Sequence, residues 1–254
     1  MTWSYFDSIH CINLYTREDR YNNSKKLFNK LDIPVKFHRV NKHIKGGLQG
    51  CFESHVDIIS TAYYKGDKRI LIFEDDIRQG CSPDNLELCI SFMKTFNSWD
   101  IFYLGAVPDL RRENTFHIEG FPGIYKISGI CTHAYVINRK AMKKIKNLKY
   151  TGVPYDFYLR DNMECYAIYP SLFYQGGFAS DITEKTIIDM HAIINPQFST
   201  LGFKILEGYA YYVGVSFPRL FVFILCVYIA FKTKVAFKEI LIILFIIIFM
   251  LKKL

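Results

Sequence analysis

The sequence predicts an α/β fold in which a mostly parallel sheet carries helices on both faces. Stretches of strand and helix periodicity alternate along its first half, and no repeat or low-complexity linker interrupts them. Half of the 254 residues are hydrophobic, enough for a single core built from roughly 200 residues.

Each element has its own signal. "SIHCINLYTRED" is a first strand running into a polar turn, and Tyr21, Leu27, Phe28 and Leu31 then fall at helical spacing. "IPVKFHRV" alternates as a second strand. After the glycine-rich "KGGLQG", Phe52, Val56, Ile59 and Tyr63 share one helical face from Cys51 to Tyr64, and "KGD" ends that helix. "RILIFEDD" is a third strand, buried for most of its length. In "CSPDNLELCISFMKTF", Ser82 is an N-cap, Pro83 takes the first helical position and Asp84 lies in the first turn. "WDIFYLG", "GIYKIS" and "THAYVI" are further strands, and Asn138 caps a lysine-rich helix ending near Leu148. From Tyr150 to Glu207 the pattern is irregular and rich in aromatics and glycine, as expected of substrate-binding loops.

Beyond Gly208 two apolar blocks, Leu220 to Phe231 and Ile240 to Leu251, are flanked by lysines. We expect residues 1–207 to form the catalytic domain and 208–254 a membrane-associated helical tail, with the domain on the cytoplasmic side. The formal charge of +8 is concentrated there: Arg219, Lys232, Lys234, Lys238, Lys252 and Lys253 face only Glu239. Basic residues at a membrane edge favour anionic headgroups, so the charge gives no support to nucleic-acid binding. Seven cysteines, an odd number without a CxxC pair, argue against both a disulfide framework and a zinc site. The polar start "MTWSYFDSIHCINLY" does not read as a signal peptide.

The chemistry gathers at Glu74, Asp75 and Asp76. Acidic triplets are ordinarily solvated turns, but this one ends a strand that reads as buried, where an open α/β sheet places its ligand. If the strand stays extended, Glu74 and Asp76 share one face and Asp75 points to the other. Two carboxylates so placed make a hard-oxygen site for Mn²⁺ or Mg²⁺, completed by a diphosphate. The chain has no GxGxxG at its first turn, no GxxxxGK[ST] and no GxSxG, which removes dinucleotide redox chemistry, P-loop hydrolysis and the hydrolase elbow.

Six segments in order resemble the family 25 glycosyltransferases, which include lipooligosaccharide and collagen galactosyltransferases. They are "INLYTREDR" (Ile12 to Arg20), "GLQGCFESH" (Gly47 to His55), "LIFEDD" (Leu71 to Asp76), "WDIFYLG" (Trp99 to Gly105), "THAYVINRKAMKKI" (Thr132 to Ile145) and "PYDFYL" (Pro154 to Leu159). The resemblance implies a GT-A type fold, a UDP-sugar donor, a divalent metal and inversion at the anomeric carbon, with a glycan, lipid-linked or protein acceptor. By position, Glu74 and Asp76 look like the metal and nucleotide motif, with His191 as a further metal ligand. Asn13, Arg17, Arg20, Ser54, His55 and Asp75 fall where such enzymes hold the nucleotide. Asp156 is the expected catalytic base, with Asp161 and Asp181 as alternatives. Leu48 and Gln49 depart from the family, whose members often carry an acid there. Two other readings stand beside this one: a metal-dependent phosphodiester hydrolase, and an inactive transferase fold that binds glycans.

Overall fold

The computed structural model describes residues 3–80, 85–109 and 116–176. Ser82, Pro83, Asp84, Asp181, His191 and the expected apolar tail lie outside them. No helix among the described residues is long and apolar enough to cross a membrane.

A short 3-10 turn (Trp3–Tyr5) leads into β1 (Ser8–Leu14), α1 (Glu18–Lys30), β2 (Lys36–Val40), α2 (Gly47–Lys65) and β3 (Arg69–Glu74). Then come β4 (Ile77–Gln79), α3 (Asn85–Thr95), β5 (Ile101–Pro108), β6 (Phe116–His117) and β7 (Ile124–Lys126). β8 (Gly129–Asn138), α4 (Arg139–Ile145), α5 (Tyr155–Asn162), β9 (Cys165–Ile168) and β10 (Phe173–Gln175) follow. Two predicted punctuation marks do their work. Gly66 takes a left-handed conformation (φ 99°) that closes α2, its N–H reaching the carbonyls of Ala62 and Tyr63. The Asn138 side chain accepts the Ala141 N–H at 2.9 Å and caps α4.

Eight strands form one sheet in the order β2-β1-β3-β8-β5-β9-β7-β6, and β4 pairs with β10 in a second. β2, β1 and β3 are parallel, as are β5 and β9. β8, however, runs antiparallel between β3 and β5, and β7 antiparallel to β9. The sheet is therefore mixed but still mostly parallel, with β8 and β7 alone of its eight strands running against the rest. Parallel neighbours need a long crossover, usually helical; the described residues between β5 and β8 hold the β6–β7 pair instead. The stretch after Tyr150 is also more regular than its composition predicts, since it holds α5, β9 and β10.

The alternation of β3 divides the core. Leu71 and Phe73 pack with Phe28 of α1 and with Leu86 and Phe92 of α3. Ile70 and Ile72 pack with Phe52, Val56 and Ile59 of α2 and with Met142 of α4. All four β3 residues are fully buried, which is why the strand reads as a continuous apolar run. β5 bulges beside Gly105, where its register against β8 shifts. A Cβ at Gly105 would run into the Phe173 carbonyl and His133 Nε2, so this glycine lets the β10 segment cross closely over β5.

Candidate functional site

β1 and β3 are adjacent and parallel, so Asn13 and Glu74 arrive at the same carboxyl edge of the sheet. β3 ends at Glu74, and Asp75 and Asp76 form a turn into β4. That turn corrects the strand-based expectation for the triplet. Glu74 continues the alternation onto the α2 face and Asp75 falls on the α1 face, as predicted, but Asp76 does not return to Glu74's side. Asp75 Oδ1 lies 3.1 Å and Asp76 Oδ2 3.7 Å from the same Arg20 Nη1. An extended chain would have separated them; the turn brings them together.

Arg20 is buried in the first turn of α1. Asn13 Nδ2 donates to Asp75 Oδ2 at 2.6 Å and to the Arg17 carbonyl at 3.1 Å, tying β1 to the acid turn. Gln175 Nε2 donates to Asp76 Oδ2 at 3.1 Å, and the Asp76 carbonyl accepts the Gly176 N–H. Burial pushes the Asp75 carboxyl up, and the charge of Asp76 adds to this; Arg20 and Asn13 pull it back, leaving it at about 6. Asp76 also stands at about 6, raised by burial and by Glu74 against the pull of Arg20 and Gln175. Asp76 Oδ1 is buried and has no hydrogen-bond partner among the described residues.

Glu74 has different company. Thr132 Oγ1 donates to its Oε1 at 2.6 Å, and His55 Nε2 stands 3.5 Å from the same oxygen. Burial raises this carboxyl, but His55 and Thr132 outweigh it and hold it below its ordinary value. His55 is fully buried, bonded through Nδ1 to the Tyr135 hydroxyl at 2.9 Å and stacked on the Tyr155 ring at 4.5 Å. Tyr135 and Tyr155 in turn share a 3.1 Å hydroxyl contact.

The remaining expected residues separate. Ser54 and His55 lie in the body of α2, which begins at Gly47, and Ser54 Oγ donates back to the Gly50 carbonyl at 2.7 Å. Arg17 forks onto Asp19, with Nε–Oδ1 2.9 Å and Nη2–Oδ2 2.8 Å. Asp156 sits in the first turn of α5 and accepts the N–H groups of Cys131 at 3.3 Å and Phe157 at 2.9 Å. Burial raises its carboxyl; those N–H groups oppose the rise, and Glu74's charge reinforces it. Cys131 holds a positive φ of 71°, a strained conformation for a non-glycine residue, beside this acid. Asp161 is engaged by Arg160 at 2.8 Å.

Four participants escape the sequence reading. Arg39 of β2 pairs in register with Asn13, donates to its Oδ1 at 3.0 Å and lies over the rings of Tyr15 and Tyr21. An arginine at the end of a strand beside β1 is a signal the sequence offers. Thr132 and Gln175 reach the acids from far along the chain, with no local mark. Cys51, one helical turn before His55, completes a group with His55 and Glu74 in which one ligand atom from each lies within 4.8 Å of the others. The i, i+4 spacing of Cys51 and His55 was legible; their convergence on Glu74 was not.

A mixed α/β sheet with a buried acid turn at the carboxyl edge of its parallel strands puts its acids where open α/β sheets place their ligands. Residues 23–159 match the model of glycosyltransferase family 25 (LPS biosynthesis protein), and the chain belongs to that family. A probable inactive glycosyltransferase 25 family member 3 from Rattus norvegicus is 33% identical over 103 residues, 39% of this chain and 18% of the relative. An inactive glycosyltransferase 25 family member 3 from Homo sapiens is 32% identical over 103 residues, 39% of this chain and 17% of the relative. The match thus spans less than a fifth of these relatives' length. Among solved structures, a glycosyltransferase involved in glycosylation of the major capsid of PBCV-1 is 14% identical, covering 74% of this chain and 100% of its own, with a TM-score of 0.41.

Proposed function

We propose that the chain is a divalent-cation-dependent, inverting glycosyltransferase of GT-A type. It moves a hexose, galactose or glucose, from a UDP-sugar to a glycan, lipid-linked or protein acceptor. The observation that carries this reading is the acid turn at the edge of β1 and β3, with its raised carboxyls and the buried Asp76 Oδ1, which has no partner among the described residues. Family membership supplies the reaction class.

The donor set fits a hard cation: oxygen ligands and, among the described residues, one arginine, Arg20, paired to both Asp75 and Asp76. Asp76 is its principal ligand, through the Oδ1 that has no partner among the described residues. Bound there, Mn²⁺ or Mg²⁺ offsets the negative charge that builds on the departing diphosphate. Arg20 and Asn13 hold the acid turn in place, and Arg39 with Tyr15 forms the rim against which the nucleotide rests. Inversion requires a base for the acceptor hydroxyl proton. Asp156 fills that role: its raised carboxyl, close enough to Glu74 to feel its charge, is a stronger proton acceptor than a solvated aspartate. The tail from residue 208 holds the domain to the cytoplasmic face of a membrane, near a lipid-linked or envelope acceptor.

A panel of UDP-sugars tested for UDP release by the full chain decides the matter. One donor gives Mn²⁺-dependent release that chelation abolishes. Donor binding without release against a broad acceptor panel replaces this reading with a glycan-binding protein, a reading favoured by the relatives named inactive. Binding of no UDP-sugar overturns it.

A further inference from the structure

We propose that Cys51, His55 and Glu74 form a second cation site, selective for a borderline-soft transition metal such as Zn²⁺ and distinct from the oxygen site at Asp76. Three observations support it. Cys51 and His55 stand one turn apart on α2, so their side chains lie on the same helical face. With Glu74, each presents a ligand atom within 4.8 Å of the others. His55 Nε2, in a fully buried ring, has no hydrogen-bond partner among the described residues, and it stands 3.5 Å from Glu74 Oε1. Corners of a tetrahedral zinc site lie roughly 3.5 Å apart at ordinary Zn–N, Zn–O and Zn–S bond lengths. That pair is already at ligand spacing, and Cys51 has about an ångström to close.

The outer shell is that of a metal-binding histidine. Nδ1 faces the Tyr135 hydroxyl at 2.9 Å, so an Nδ1–H donated to that oxygen leaves the Nε2 lone pair directed at Glu74. The stack on Tyr155 fixes the ring plane, and Thr132 orients the carboxylate. One thiolate, one imidazole and one carboxylate select a borderline metal over Mg²⁺ or Mn²⁺, and three protein ligands leave the fourth position open. Binding replaces the Cys51 thiol proton with the metal and releases that proton to solvent.

The test uses metal-stripped full-length chain titrated with Co²⁺ as a spectroscopic stand-in for Zn²⁺, and needs no sugar donor. One equivalent binds with a near-ultraviolet thiolate-to-cobalt band. Zn²⁺ bleaches that band, and excess Mg²⁺ leaves it. Cys51→Ser removes the band, and Tyr135→Phe, which takes away the outer-shell partner of His55, weakens binding by about 10–100-fold. Asp76→Asn keeps the band, which separates this site from the donor site and its failure from failure of the transferase reading. Wild-type protein that binds Co²⁺ without the band, or that binds none, overturns the proposal. A band that survives in Cys51→Ser overturns it as well, whatever the stability of the variants.

Discussion

The two faces of β3 meet the same chemical problem with opposite means. On the α1 face, Asp75 and Asp76 gather around a permanent cation, Arg20, and still stand at about 6. On the α2 face, Glu74 has only a hydroxyl and an imidazole, yet its carboxyl is held below its ordinary value. The difference teaches that burial together with repulsion from a neighbouring acid, Asp76 on Asp75 and Glu74 on Asp76, outweighs what one shared arginine recovers. Arg20 is divided between two acids, whereas Glu74 has Thr132 and His55 to itself. That shortfall is what a cation bound as proposed at the α1 face would offset.

The sharpest way to break this comparison is to remove the shared cation. Arg20→Ala leaves two buried carboxyls without it, and we expect a loss of about 3–5 kcal/mol near neutral pH, read by denaturant unfolding. Because losing Arg20 pushes the leftover acids further up and they escape by protonating, the loss shrinks as pH falls toward about 6 and is smallest below it. A loss independent of pH would mean that Arg20 acts through packing alone.

Smaller in stability but central to the α1 face is its own pH dependence in the presence of chelator. Asp75 and Asp76 carry folded pKa values of about 6, above the roughly 3.9 of an unfolded aspartate. Between those values the folded chain binds more protons than the unfolded one, so these groups lower stability as pH rises from about 4 to about 6. Mn²⁺ reverses that loss, most at the upper end of the window. Thermal melts with chelator and with Mn²⁺ across this range check both signs. The α2 face supplies the contrast: Glu74, held low, contributes stability that is present above its unfolded pKa and lost on acidification.

Smallest is a change remote from both faces. Asn138→Ala removes the α4 cap and costs about 1 kcal/mol without altering either metal response. An effect on Mn²⁺ binding from this variant would show that the two faces are not separately organised.

What the sequence made legible was local. The buried β3, the Gly66 stop and the Asn138 cap each carry their signal in a few neighbouring residues. Alternation also placed Glu74 and Asp75 on opposite faces. It failed at Asp76 because the chain turns there, and a period-two argument holds only while the strand remains extended. The antiparallel entry of β8 escaped for a related reason: strand direction depends on the path between elements, which periodicity does not encode. Thr132 and Gln175 reach the acids through tertiary folding alone, across 58 and 99 residues of sequence.

The central claim is that the α1 face holds a cation shared with a donor diphosphate, and calorimetric titration of Mn²⁺ into the full chain with and without UDP tests it most directly. The account predicts that UDP tightens Mn²⁺ binding at least tenfold, and that Asp76→Asn abolishes this coupling while the variant remains folded. Mn²⁺ binding that ignores UDP, or coupling that persists in Asp76→Asn, would contradict it.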